Sequence, residues 1–175
     1  SQNLPKKKRR PTTPSALVLA PTRELAIQVA TSVASYGGAH FESQVALLSG
    51  GQPIGPKIGA LKRQPAIVIG TPGRVIDHLT RGTLDLSEVR FVVLDEADEM
   101  LKMGFIEDVS HILSHTHPER QSALFSATMP PEVKRIADQY LRPERAHIRV
   151  EGGRRTSDDV EQFVLHAPRE GKVAA

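Results

Sequence analysis

Apolar and polar positions alternate along this chain in short, regular units. Runs of four or five apolar residues occur at 16–20, 66–69 and 91–94, and each is followed at once by a turn or polar residue. Their length and β-branched content suit strands buried on both faces of a parallel sheet. Residues 44–48 form a similar run ahead of Ser49-Gly50-Gly51, and residues 122–125 are closed by Ser126-Ala127-Thr128. Between these runs the apolar period lengthens to that of a helix. Leu25, Val29 and Val33 share one helix face, which Thr22 can cap, Glu24 suits electrostatically and Gly37-Gly38 ends. Thr71, with Pro72 at the first helical position, opens a helix carried by residues 75–79. Ile106, Val109, Ile112 and Leu113 mark another face, and Val133, Ile136, Ala137, Tyr140 and Leu141 a further one. Residues 146–150 read as one more short strand. This alternation predicts an α/β fold with a doubly wound, mainly parallel sheet and helices on both faces.

The same pattern sets boundaries. Residues 1–14 are basic and proline-rich and read as a flexible arm. Residues 15–151 form one domain, and 152–159 have the Gly, Arg and Ser content of a linker. Residues 160–175 open with a strand-like stretch that has no further domain to join. A chain of 175 residues holds one domain with a real core, not two complete ones. No apolar run reaches the length of a membrane span, and there is no cysteine for a disulfide or a thiolate metal site. A cytoplasmic chain is the expectation.

Charge changes the picture locally. Residues 6–10 carry five positive charges, more than the whole formal net charge of +3, so the body of the chain is slightly acidic. Aromatic residues are 4% with no Trp, which argues against stacking of successive bases on aromatic platforms. Nucleic acid, if bound, is held by its backbone. His111, His115 and His117 have metal-like spacing, but with no Cys and no evident fourth ligand they read as a solvated helix end.

The candidate chemistry begins where residues 91–94 run into Asp95-Glu96-Ala97-Asp98. Carboxylates cannot stay in a buried strand, so they sit where it leaves the core, and in open α/β sheets that end binds ligands. An acidic pair there can hold a divalent cation on nucleotide phosphates and polarise an attacking water. Acids at an ordinary first helical turn are the plainer explanation. By the same reasoning Thr22, Gly50, Gly51, Thr71, Gly73, Asp95, Ser126 and Thr128 crowd one rim. Glycines there let a ligand approach the main chain, and helix N-termini offer N–H groups to phosphates.

The order of these motifs resembles the first RecA-like domain of the DEAD-box ATP-dependent RNA helicases. The resemblance rests on Pro21-Thr22-Arg23-Glu24-Leu25-Ala26, Gly50-Gly51, Thr71-Pro72-Gly73-Arg74, Asp95-Glu96-Ala97-Asp98 and Ser126-Ala127-Thr128, and covers residues 16–150. Residues 82–86 and 100–105 look most like bacterial cold-shock members. The resemblance implies a partial RecA-like P-loop NTPase domain. It implies ATP and Mg²⁺, with Asp95 holding the metal through water and Glu96 orienting the attacking water. Asp98 would link the nucleotide site to Ser126 and Thr128, which couple hydrolysis to strand separation. Pro21, Thr22, Arg23, Gly50, Gly51, Thr71, Pro72, Gly73 and Arg74 would grip one RNA strand by its backbone, without sequence preference. Ribonucleoprotein or ribosome-assembly partners accord with such a role.

One departure stands out. The family's Walker A loop, G-x-x-x-x-G-K-[ST], lies upstream of Pro21, yet Gly-Lys-Ser and Gly-Lys-Thr occur nowhere, and Gly171-Lys172 is followed by Val173. The expectation is therefore an internal helicase fragment, inactive alone, with 160–175 opening a second RecA-like domain. A non-catalytic RNA-binding or interaction fragment is the alternative. A metal-dependent hydrolase using Asp95 and Glu96 alone leaves the other four motifs unexplained.

Overall fold

Alternation along Ala16-Leu17-Val18-Leu19 sends Leu17 and Leu19 to one side of a strand and Val18 to the other. In the computed structural model, which describes residues 11–51 and 59–150, both sides of that strand, β1 (Ala16–Leu19), are packed. The chain continues through α1 (Arg23–Glu42), β2 (Val45–Leu48), β3 (Ile67–Gly70) and α2 (Pro72–Thr80). It then forms β4 (Phe91–Leu94), α3 (Ala97–Lys102), α4 (Ile106–Ser114), β5 (Gln121–Leu124) and α5 (Pro131–Tyr140). The five strands lie in the order β2-β3-β1-β4-β5, and every pair is parallel.

Helices cover both faces, unequally. On one face α1 lays Leu25, Val29 and Val33 over Val18, Ile67 and Ile69. On the other, α2 to α5 bring Val75, Met100, Ile112 and Val133 onto Leu17, Leu19, Val68, Val92 and Leu94. The α1 face is covered over β2, β3 and β1 but not over β4 and β5. The burial of β4 therefore differs from the expected strand enclosed on both sides: Val92 and Leu94 are buried, Val93 is half-buried and Phe91 is 55% exposed. Four apolar residues in a row tell length and strand type, not whether a helix arrives on each side.

Three further differences have local causes. Regular geometry in α1 breaks at Gly38 (φ 68°, ψ −175°), a conformation that glycine adopts freely, but the helix resumes and runs to Glu42. Residues 146–150, expected as a strand, make no ladder with any described strand, and Ile148 and Val150 are exposed. Alternation of three apolar residues supplies a face, but a strand also needs a neighbour for its N–H and C=O groups. The expected flexible arm reached residue 14, yet its last part is anchored. The Thr12 N–H donates to Thr83 O at 3.1 Å, its hydroxyl to Leu61 O at 2.7 Å, and its own carbonyl accepts from the Asp85 N–H at 2.8 Å. A buried Thr held by three bonds belongs to the domain. The basic run, the linker and residues 160–175 lie outside the described residues.

The described residues up to Arg145 form one compact unit, and residues 146–150 belong to another. Among the described residues, no helix is long and apolar enough to cross a membrane.

Candidate nucleotide and nucleic-acid site

The strand register decides where the motifs meet. Leu48 pairs with Gly70, Gly70 with Leu19, Leu19 with Leu94, and Leu94 with Leu124, so all five strands end in one row. The residues just past that row are tied to the neighbouring strand. The Thr71 N–H donates to Leu48 O (3.0 Å), Ala20 N–H to Gly70 O (3.0 Å), Asp95 N–H to Leu19 O (2.9 Å) and Phe125 N–H to Leu94 O (2.8 Å). Each motif thus leaves the sheet from a fixed point. With neighbouring strands about 4.8 Å apart, the rim from β2 to β5 is roughly 19 Å long.

Gly70 is a residue that the motif pattern alone does not single out. A Cβ there would stand 2.5 Å from Leu48 O and 3.1 Å from Val75, so only glycine lets β3 and α2 close against β2. Its signal in the sequence is a glycine at the end of a strand, easily taken for a plain turn.

Three motifs occupy the β2-β3-β1 part of the rim. The Thr22 hydroxyl accepts from the Leu25 N–H at 3.3 Å and caps α1 as its sequence suggests. Arg23, in the first turn, reaches Gly51: a Cβ on Gly51 would lie 2.7 Å from Arg23 Nη1. Gly51 also has φ 78°, a conformation that favours glycine, and a side chain there would push the tip of Arg23 aside. Thr71 sits at the N-cap of α2 with Pro72 next, yet its hydroxyl makes no cap bond; the Thr71 carbonyl instead accepts from the Arg74 and Val75 N–H groups. Gly73 and Gly50 border open space. Arg74 is drawn toward Asp77, with 3.7 Å between Nη1 and Oδ2. Pro21 and Pro72 are buried, so their contribution is to shape the two helix starts.

The acids sit on the β4-β5 part. Glu96 holds left-handed backbone angles (φ 51°, ψ 55°), which turn its side chain out at the N-cap of α3. That conformation costs a non-glycine residue about 1–2 kcal/mol and recurs where a site dictates the backbone. Asp98, two residues on, is 5% exposed and fully engaged. Its Oδ2 accepts from the Thr128 hydroxyl (2.7 Å) and the Thr128 N–H (3.0 Å). Its N–H donates to Ser126 Oγ (3.1 Å), and the Ser126 hydroxyl donates on to Thr128 O (2.6 Å). The Ala97 N–H, donating to Phe125 O at 3.0 Å, closes the same join.

Of the three acids, only Asp98 is spent on structure. Asp95 is half-buried and Glu96 exposed, and neither carboxylate forms a hydrogen bond or ion pair among the described residues. Two carboxylates with all acceptor capacity left, at the end of a strand, fit a hydrated divalent cation and an attacking water.

Burial by itself would raise the Asp98 pKa. The Thr128 hydroxyl, Ser126 and the Thr128 N–H outweigh it and lower the value from 3.8 to about 2. A carboxylate more acidic in the folded than in the unfolded chain stabilises the fold above pH ~4, and that stabilisation, about 2 kcal/mol, is lost as pH falls through ~2. A carboxyl-carbon NMR titration should find the Asp98 midpoint near 2, and Thr128→Ala should raise it. A wild-type midpoint at or above 3.8 would contradict the clasp.

The histidines do not converge on a metal. His115 Nδ1–H donates to His111 O at 2.8 Å at the end of α4, whereas His117 Nδ1 accepts from the Glu119 N–H at 3.1 Å. Among the described residues no three His, Cys, Asp or Glu gather as a metal site.

Comparison with known proteins adds independent findings. The family model described as DEAD/DEAH box helicase matches residues 2–136. The DEAD-box ATP-dependent RNA helicase CshA of Geobacillus kaustophilus is 49% identical over 157 residues, covering 90% of this chain and 33% of that protein. The corresponding Bacillus subtilis protein is 47% identical, with 90% and 31% covered. The chain therefore spans about a third of the length of the curated relatives it matches. A DEAD box protein from Methanococcus jannaschii matches with a TM-score of 0.69 at 49% identity, over 74% of this chain and 35% of that one. The yeast DEAD-box splicing factor Prp28 gives 0.67 at 34% identity, over 74% and 32%.

Proposed function

Because this chain belongs to the DEAD/DEAH box helicase family, we propose that it forms part of the first RecA-like domain of an ATP-dependent RNA helicase. In this reading the β2-β3-β1 part of the rim grips RNA, and the β4-β5 part carries the acids for phosphate chemistry. The common row of strand ends supports it most, because it aligns five motifs that are far apart in sequence.

Arg23 and Arg74 supply charge to RNA phosphates, and the Gly50-Gly51 turn and the start of α2 supply N–H groups. Asp95 holds Mg²⁺ through water, and Glu96 orients the attacking water. Bound Mg²⁺ with ATP would draw off the charge that develops on the transferred phosphoryl group. Asp98 joins the turn that bears both acids to Ser126 and Thr128, so displacement of either end is felt at the other. The location in this reading is cytoplasmic, with RNA–protein assemblies as partners. The lack of any Gly-Lys-Ser or Gly-Lys-Thr supports a second reading for the 175 residues alone, a module that binds RNA without turning over ATP.

Filter binding with single-stranded RNA tests the grip. Affinity should be weak, indifferent to sequence and lower by roughly tenfold to thirtyfold between about 50 and about 200 mM salt. Removing the charges of residues 6–10 should flatten that dependence. Gly51→Ala should weaken binding by up to about tenfold through displacement of Arg23. Tight binding to one sequence that survives high salt would replace backbone contact with base readout.

A further inference from the structure

Arg120 stands just before β5, at the end of the sheet opposite the rim and roughly 13 Å from it. It is 9% exposed. A guanidinium has five N–H donors. Two are used, on His117 O at 3.2 Å and Tyr140 O at 3.5 Å, and Nε is buried with no acceptor among the described residues. Its Cζ lies 5.8 Å from the Tyr140 ring centroid, and burial lowers the Arg120 pKa, with Tyr140 offsetting part of that. The ion pairs of the described residues are Arg74–Asp77, Lys102–Glu99 and Arg145–Asp138, and none serves Arg120. A buried cation without a carboxylate is costly, so its retention calls for an explanation.

Arg120 lines a cavity of about 420 Å³ between the end of α4 and the end of α5. Arg142 lines it too, along with Tyr140, Leu113 and Leu141, and no acidic residue does. Two arginines that share a wall holding no carboxylate suit an anion with several acceptor oxygens. The volume exceeds that of a bare oxyanion, and the aromatic and apolar wall offers a place for an organic part.

We infer that this cavity is a second anion site, which takes a phosphate monoester between Arg120 and Arg142 with its organic part against Tyr140 and Leu141. It is independent of the rim and of the RNA-binding reading. The phosphate belongs either to a small phosphorylated metabolite or to the 5′ end of an RNA.

Tyrosine fluorescence can report on this site, because the chain has two tyrosines and no Trp. Tyr36 is 92% exposed, so Tyr36→Phe leaves Tyr140, over Arg120, as the sole emitter without disturbing the core. In that background inorganic phosphate, AMP and a 5′-phosphorylated trinucleotide are titrated against chloride at equal ionic strength. The expected result is a saturable change with AMP that chloride does not give. Arg120→Lys, which keeps charge but loses the fork, should weaken it by about tenfold or more. Arg142→Gln, at an exposed position, should weaken it severalfold with the unfolding temperature unchanged. Tighter binding of the trinucleotide than of AMP assigns the site to RNA 5′ ends, and equal or weaker binding assigns it to small phosphates. No saturable change, an equal response to chloride, affinity unaltered in Arg142→Gln, or preference for an acidic peptide over AMP would each overturn the inference.

Discussion

Given ATP, Mg²⁺ and duplex RNA, the 175-residue chain is expected to release phosphate no faster than a protein-free blank. Phosphoryl transfer depends on position and charge more than on covalent chemistry. Asp95 and Glu96 stand ready at the end of β4, but no Gly-Lys-Ser or Gly-Lys-Thr is present to cradle the β- and γ-phosphates. In a longer chain that supplies such a loop, turnover should appear. There Glu96→Gln should cut it by about a hundredfold to ten-thousandfold while RNA and nucleotide binding persist. Turnover by the 175 residues that Glu96→Gln abolishes would contradict both the fragment reading and the need for the loop.

How far the fold could be read depended on the kind of signal. Strand type, the alternation with helices and the motif positions came from local pattern, because buried parallel strands and helix starts have local chemistry. The start of α2 at Pro72 followed from Thr71-Pro72-Gly73, although the Thr71 hydroxyl proved not to cap it. What the pattern could not give was set by neighbours. Phe91 is exposed because α1 does not reach β4, and among the described residues no strand pairs with 146–150. Within the site, the residues by themselves offered three alike carboxylates, and only the resemblance gave Asp98 a part of its own, toward Ser126 and Thr128. In the folded chain Thr128, thirty residues away, bonds Asp98 and leaves Asp95 and Glu96 uncommitted. Arg120 gave no signal at all, since an arginine before a strand is ordinary until its surroundings are known.

A second large effect concerns β5. Among the described residues it pairs with β4 on one side only, so the other side presents a row of unpaired N–H and C=O groups. Register places Phe91 opposite Gln121, and alternation then puts Phe125 on the same face. These two phenylalanines are 55% and 58% exposed. An open edge beside an uncovered apolar face is a template for association. The 175-residue chain should therefore self-associate at micromolar concentration, with amide exchange of residues 121–124 slowing as concentration rises. Gln121→Lys, a charge on the exposed edge, should weaken association by about tenfold or more. Strong, concentration-independent protection of those amides in a monomer would mean that the edge is covered.

The central claim is the division of the rim, with RNA on the β2-β3-β1 part and phosphate chemistry on the β4-β5 part. Amide NMR shifts on titration with a short single-stranded RNA test it most directly, at low concentration and with Gln121→Lys to limit association. The account predicts the largest changes at Arg23, Gly50, Gly51, Gly73 and Arg74, with Asp95, Glu96 and Asp98 nearly still. Changes centred on Asp95 to Asp98 and Thr128, with Gly51 and Gly73 unmoved, would contradict it.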